Sequence, residues 1–530
     1  MNSLTRTISL YYHTLRYLTL RQIYFQIVYR VKKTFFRKQP KIVAGSIEVQ
    51  SLRFTLSIPS KKSYLGNGVF DFLNKQKEFG AQIDWNFIEF EKLWVYNLNY
   101  FDFLNQEGIN RNESVELIES FCKEPEQRKE GTEPYPISLR GINWIKFFSH
   151  NEIKNSQFDS ILYSHYRHLV NHLEYHLLGN HLLENGFSLL FGAYYFKDRH
   201  FYKKAINILR KELNEQILKD GAHFELSPMY HQILLFRLLD CINLIKNNSW
   251  IDHEDLNHFF EHTARKMLGW LEAITFANGD IPMVNDSAFD IAPSSLELLN
   301  YGKRLGLDAE RTVLSHSGYR MIRKSGFELF VDIGNIGPDY IPGHAHSDTF
   351  SFILYVKGRP VFVDTGISTY SRNSQRIAER STRSHNTVKV KGCEQSDVWA
   401  SFRVGRRAKV IHTKEEFSGI LAIHDGYEFI GIRHQRIWQW NDTQLKIIDE
   451  MLGKPTENPN EAHFHFHAVV DVLIDDNTVT AGSVTLRFFH ALSYSITDYD
   501  FSMGFNCSQK AKKLVVFFAQ KLETTIVING

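Results

Sequence analysis

Phe327-Glu328-Leu329-Phe330-Val331-Asp332-Ile333 places apolar side chains at every second position. That spacing lines one face of an extended chain. Upstream, apolar residues recur every three or four positions through Ser138–Phe148, Phe158–Leu178, Phe187–Tyr195, Phe201–Ile217, Gln232–Ile245 and Leu256–Ala277, which predicts helix after helix with short polar breaks. Downstream, Phe350–Val356, Val361–Asp364, Thr387–Val390, Leu421–Arg433, Gln435–Ile448, His463–Val470, Val484–Phe489 and Leu514–Phe518 read as strands between Gly, Asn and Asp turns. The period switches near residue 315. A basic arm over 1–45, a helical domain over 46–310 and an antiparallel β-sandwich over 311–530 follow from it. Successive helical hairpins suit a toroid of helix pairs.

A chain of 530 residues is too long for a single core. Its 43% hydrophobic and 23% charged residues are those of an ordinary soluble protein, and its 14% aromatic content suits a polysaccharide cleft as well as a large core. Residues 1–45 carry nine Lys/Arg and no Asp/Glu while the whole chain is only +3, so the body is net negative. A nucleic-acid footprint over the body is excluded on that ground. Two readings of the arm stand, peripheral contact with an anionic membrane or a solvated, partly helical lead-in. Its uncharged runs are short and polar-broken and no small-residue cleavage site follows, so neither a signal peptide nor a span is expected. Cys122, Cys241, Cys393 and Cys507 lack CxxC spacing, and a reduced compartment is the default expectation.

Three constellations could carry chemistry. In Gly179-Asn180-His181-Leu182-Leu183-Glu184, a polar turn between two helices would offer Asn180 and His181 to a cleft. Helix capping and a solvent-facing histidine explain the same residues. In Phe224-Glu225-Leu226-Ser227-Pro228-Met229-Tyr230-His231, Ser227 and Pro228 read as N-cap and first helical residue. The helix dipole would then lower the Tyr230 phenol from its usual value near 10. A core tyrosine with a satisfied hydroxyl is the plainer alternative. In Gly343-His344-Ala345-His346-Ser347-Asp348, the two histidines are two positions apart. With Asp364 and His385 the turn could close a three-ligand zinc site, although polar residues on an outer sandwich face would look the same. His463, His465 and His467 alternate along one strand and read as an exposed face. A glycoside hydrolase would need two facing carboxylates, for which Glu184, Glu225 and Asp280 are at hand.

Taken in order, these motifs, with Val363-Asp364-Thr365-Gly366 and Ser384-His385-Asn386-Thr387, resemble the heparinase II/III family of polysaccharide lyases. The resemblance implies an N-terminal (α/α) toroid, a C-terminal β-sandwich and a cleft between them. It implies β-elimination at a uronic acid of an acidic, glycosaminoglycan-like polysaccharide. By position, Asn180 would neutralise the uronate carboxylate, Tyr230 would move the proton, and His344 would be the alternative base. His346, Asp364 and His385 would hold a structural Zn2+. His181, His231, Arg383 and Arg403 would bind the acidic chain. With no evident signal, the expectation is a cytoplasmic or inner-membrane-peripheral protein of capsule or exopolysaccharide metabolism, with a periplasmic location as the alternative. A non-catalytic acidic-glycan-binding protein on the same scaffold is the second functional reading, and oligomeric state is not legible.

Overall fold

The computed structural model describes residues 3–35, 47–55, 57–123, 127–251, 254–454, 459–475 and 478–529. Its first half is a double layer of helices. Pro134–His150, Gly179–Phe196 and Pro228–Asn247 are buried almost all round, which marks inner helices. Ser156–Asn171, Arg199–Gln216 and Glu254–Ile274 bury one face only and pack outside them. Side chains of Asn155, Asp198, Ser227 and Ser294 accept backbone N–H bonds at four of the helix starts, so polar breaks in the sequence become caps. The expected helix Phe158–Leu178 stops at Asn171, and a turn over 172–178 leads into the next inner helix.

Two main antiparallel sheets follow, besides a two-stranded pair of Val398–Trp399 with Arg403–Val404. Tyr319–Arg323, Phe327–Asp332, Phe352–Val356 and Arg359–Phe362 form the small one, with Leu329 opposite Leu354. Among the described residues the large sheet has ten strands, with a long hairpin, Val484–Gly504 with Cys507–Ile528, inside it. Leu329, Val331, Phe352 and Leu354 face Trp438, Ile447, Phe464 and Leu514 across one core, which makes the pair a sandwich. Phe330, Ile353 and Tyr355 point the other way and meet Trp270, Ile274 and Phe276 of the helical half. Strand Phe327–Asp332 is therefore buried on both faces, where its alternation suggested one. At about 1.5–3 kcal/mol per fully buried large apolar side chain, this second core fixes the seam between the halves.

Two expected strands are each interrupted. Leu421–Arg433 breaks at a 3₁₀ turn, Glu428–Ile430, followed by Gly431 at φ 75°, and Gln435–Ile448 contains the hairpin turn between Ile432–Trp440 and Gln444–Gly453. The histidine strand is not exposed. His463 and His465 are 2% and 1% accessible, because Asn460–His465 pairs with strands on both sides and lies inside the sandwich. The four cysteines are free thiols.

Candidate active site at the seam

The site is assembled from four segments that meet at the seam. Ser227 caps helix Pro228–Asn247 and accepts from Tyr230 N, while its hydroxyl donates to the Asp286 carbonyl at 2.9 Å. Asp286 N in turn donates to the His344 carbonyl at 3.1 Å, and His346 N donates to Asn285 Oδ1 at 3.0 Å. The helix start, the link at 284–287 and the histidine turn are thus tied together by one backbone pair and two side-chain-to-backbone bonds. Leu226, just before the cap, sits at φ 56°, and its carbonyl accepts from Asn285 Nδ2 and Tyr319 Oη. A non-glycine residue in that region costs about 1–3 kcal/mol and persists where its surroundings over-determine it.

Asp286 is the hub. It is fully buried, meets Arg376 through both guanidinium nitrogens, and receives His344 Nδ1 at 2.8 Å and His346 Nε2 at 2.9 Å. Burial alone would raise its pKa. The Arg376 guanidinium and the two imidazoles outweigh that and hold the carboxyl well below its usual range. An ionised carboxylate only accepts, so both imidazoles donate to it. The Tyr230 ring lies against His344 with centroids 4.1 Å apart, and its hydroxyl is 3.2 Å from that of Tyr370. Burial raises the Tyr230 pKa, and the charges of Asp286 and Glu225 add to it. The lowering expected from the helix dipole is therefore overturned, because desolvation of the phenolate is the larger effect here.

Asn180 does not lie in a loop. It and His181 occupy the first turn of helix Gly179–Phe196, which Leu178 enters at φ 63° without a side-chain cap. The cap comes from elsewhere. Glu225 accepts from Asn180 N at 3.3 Å and from Asn180 Nδ2 at 3.2 Å, and a Cβ on Gly179 would stand 2.8 Å from the same oxygen. The other Glu225 oxygen is 3.4 Å from His344 Nε2. Asn180 and His344 thus both reach one carboxylate.

The remaining expected residues divide. His181 stands beside this cluster, its Nδ1 3.2 Å from Glu174 Oε1 and its ring against Tyr135. Burial opposes its charge, but Glu174 prevails and raises its pKa. His231 faces the core: Nδ1 accepts from His223 N at 3.2 Å, Nε2 meets the Met267 carbonyl at 3.0 Å, and burial lowers its pKa to about 4. Arg403 stacks on Trp399 and Tyr11 outside the cluster. Arg383 is exposed beside Lys513 and His465. These three are not brought to Tyr230 and His344. For the hydrolase reading, Glu184 is locked to Arg237 and Asp280 to Tyr355 and Asn278, so no facing pair forms with Glu225.

The expected metal ligands lie behind the hub. His346 and His385 have ring centroids 5.3 Å apart, and His385 Nδ1 is 2.7 Å from Asp364 Oδ2. His346 Nδ1, His385 Nε2 and Asp348 Oδ2 are buried without a hydrogen-bond partner. Burial lowers the His346 pKa to about 4, leaving a neutral ring with a lone pair on Nδ1. These atoms have the chemistry of a zinc donor set. Even so, among the described residues no three such side chains are spaced to hold an ion as they stand.

Sequence reading missed Asp286, Tyr370 and Arg376. Asp286 sits in an irregular link with no periodicity, and Arg376 in the short helix Ser374–Glu379. The polar run Asn285-Asp286-Ser287 after Ile281-Pro282-Met283-Val284 was the available signal.

Comparison with known proteins identifies the family. The family model "Heparinase II/III N-terminus" matches residues 140–303, and "Heparinase II/III-like, C-terminal" matches residues 307–528. A heparin-sulfate lyase of Bacteroides stercoris is 23% identical over 329 residues, covering 55% of this chain and 46% of that protein. One from Pedobacter heparinus is 26% identical over 242 residues, covering 40% and 36%. The chain thus spans less than half the length of these curated relatives. In fold, a crystal structure of heparinase III aligns over 84% of this chain and 80% of its own, with a TM-score of 0.64 at 17% identity. A chondroitinase AC lyase aligns over 85% and 79% with a TM-score of 0.51 at 8% identity. With both family models matched in order across most of its length, the chain belongs to the heparinase II/III-like family.

Proposed function

We propose that the protein is a polysaccharide lyase that cleaves a uronic-acid-containing polysaccharide of glycosaminoglycan type by β-elimination. The observation that carries this reading is the convergence of Asn180, His344 and the Tyr230 ring on one spot at the seam, where Asn180 Nδ2 donates to the Glu225 carboxylate at 3.2 Å. A pocket edge that holds one carboxylate this way is built to receive the carboxylate of a uronate.

In β-elimination a base removes the C5 proton, its electron pair becomes the C4=C5 double bond, and the C4–O bond breaks. The C5 proton is weakly acidic because the adjacent carboxylate resists more negative charge. Asn180 would neutralise that carboxylate, and such electrostatic help is usually the largest contribution to the rate. With Nδ1 committed to Asp286, Nε2 is the ring nitrogen that His344 turns towards Asn180 and Tyr230, and there it would accept the C5 proton. Tyr230, kept protonated by burial, would donate to the leaving oxygen. His181 would extend the surface that binds the acidic chain.

Incubation with a panel of defined uronans tests this. Ultraviolet absorbance from the new double bond should rise with one or more of them. New reducing ends without absorbance would indicate hydrolysis, and saturable binding without product would indicate a glycan-binding protein; either refutes the lyase reading.

The buried, unpartnered nitrogens of His346 and His385 also support a structural zinc ion held by His346, Asp364 and His385. When bound, it would neutralise these donors and brace the sandwich edge behind the cleft. Metal analysis of the purified protein should find about one zinc per chain, and chelation should lower the melting temperature. Metal-free protein with unchanged melting would refute it.

A further inference from the structure

The described part of the amino-terminal arm is a pair of helices, Ser3–Leu15 and Leu20–Phe35, that carries apolar side chains on its outer side as well as its inner one. The side facing the protein mixes aromatic stacking, Phe25 on Tyr175 and Tyr29 on His176, with polar contacts. Gln22 Nε2 donates to the Tyr340 carbonyl at 3.0 Å, Gln26 Nε2 to the His176 carbonyl at 2.9 Å, and Arg21 pairs with Glu212 at 3.2 Å. Thr14 Oγ1 accepts from Trp399 Nε1 at 3.1 Å on the β-domain. The outer side is apolar. On the first helix Ile8, Tyr12 and Leu15 are 59%, 63% and 55% exposed, with Tyr11, 45% exposed, at their edge against Trp399, and on the second Leu20, Ile23, Tyr24 and Ile27 are 85%, 41%, 62% and 59% exposed. Each set follows the spacing i, i+3, i+4, i+7, so each helix turns one continuous stripe outward.

Contiguous exposed stripes of this kind mark an interaction surface, and charge identifies its partner. Residues 1–35 hold six Lys/Arg and no Asp/Glu, with Arg16 and Arg30 exposed beside the stripes. A second copy would bring two cationic hairpins together. An anionic lipid surface offers both an apolar boundary for the stripes and negative headgroups for the arginines. Tyrosines at 12 and 24 suit the headgroup level, where one end of the ring is apolar and the other wet. Among the described residues no helix is long and apolar enough to cross a membrane, so the contact lies in the surface plane.

We propose that this hairpin seats the protein on an anionic membrane surface. It bridges both halves of the molecule next to the cleft. Gln22 holds Tyr340, four residues from His344, and Tyr11 packs on Trp399, three residues from Phe402, whose ring edges His344. Docking therefore sets the cleft beside the headgroups.

Sedimentation of the full chain with vesicles tests this independently of catalysis. Vesicles of phosphatidylcholine with about one-third phosphatidylglycerol should bind it, and pure phosphatidylcholine or raised salt should weaken binding at least ~10-fold. The combined variant Tyr12→Ser, Leu15→Ser, Leu20→Ser, Tyr24→Ser, Ile27→Ser should lose binding to the same degree with an unchanged circular dichroism spectrum. As a second probe that leaves the stripe intact, Leu20→Trp fluorescence should shift to the blue on anionic vesicles only. The proposal is overturned if the wild type ignores anionic vesicles, if the Leu20→Trp emission does not move, or if the wild type is a dimer that the five substitutions dissociate.

Discussion

Replacing Tyr230 by Phe tests the proposed chemistry with the least structural disturbance. The ring and its contact with His344 at 4.1 Å remain, and only the hydroxyl is lost. That hydroxyl makes one long bond, 3.2 Å, to Tyr370 Oη, and a neutral pair of this kind contributes about 1 kcal/mol. Melting should therefore move by a few degrees at most. The rate should fall much further. A positioned proton donor contributes about 10²–10⁴-fold, or about 3–5 kcal/mol of barrier. Because the donation is made in the transition state, kcat should carry the loss while KM stays within a few-fold. The assay is initial rate by ultraviolet absorbance on a uronan that the wild type cleaves. Tyr370→Phe, which removes only the partner hydroxyl, should lose about tenfold or less. A Tyr230→Phe enzyme within a few-fold of wild type would show that another group protonates the leaving oxygen, and the assignment would be wrong.

Asp286→Asn removes the charge opposite Arg376, both wholly buried, and stranding a buried guanidinium costs about 3–5 kcal/mol; urea unfolding should show it, together with loss of activity from a disoriented His344. Asn180→Ala should lower kcat by about 10²–10³, and a rise in KM with unchanged kcat would mean that Asn180 only binds. Stability should also fall in acid. His231 titrates near 4 when folded against 6.5 for the free side chain, so its contribution is complete above pH 6.5 and is lost as pH falls towards 4. The loss is about 2 kcal/mol at pH 5. His223, His424 and His465 shift in the same direction through burial. Urea midpoints at pH 7 and pH 5 should differ accordingly, and by about 2 kcal/mol less in His231→Gln.

What the sequence made legible was local. Ser227-Pro228 reads as a helix start because both residues act within one turn, and the structure keeps that cap. The period switch before Phe327 survives because strand and helix spacings differ over any seven residues. What it hid depends on partners far along the chain. Helix Gly179–Phe196 carries no cap of its own, since Glu225, forty-five residues on, supplies one. His463 and His465 alternate as a strand should, but spacing cannot say that both faces of that strand are covered. The Tyr230 pKa went the wrong way for the same reason, a local dipole outweighed by burial that only the assembled seam creates.

The histidine turn joins the two kinds of residue. His344 and His346 were expected to serve separate tasks, one towards substrate and one towards a metal. They share Asp286, with His344 on one carboxylate oxygen, His346 on the other and Arg376 across both. One carboxylate thus takes Nδ1 of His344 and Nε2 of His346, turning His344 Nε2 towards Glu225 at the seam and His346 Nδ1 into the sandwich. Any change of charge or position at His346 reaches His344 through a group that is fully buried and cannot be screened by water. The proposed metal ligand and the proposed base therefore share one positioning group, a residue in a link that carries no recognisable motif.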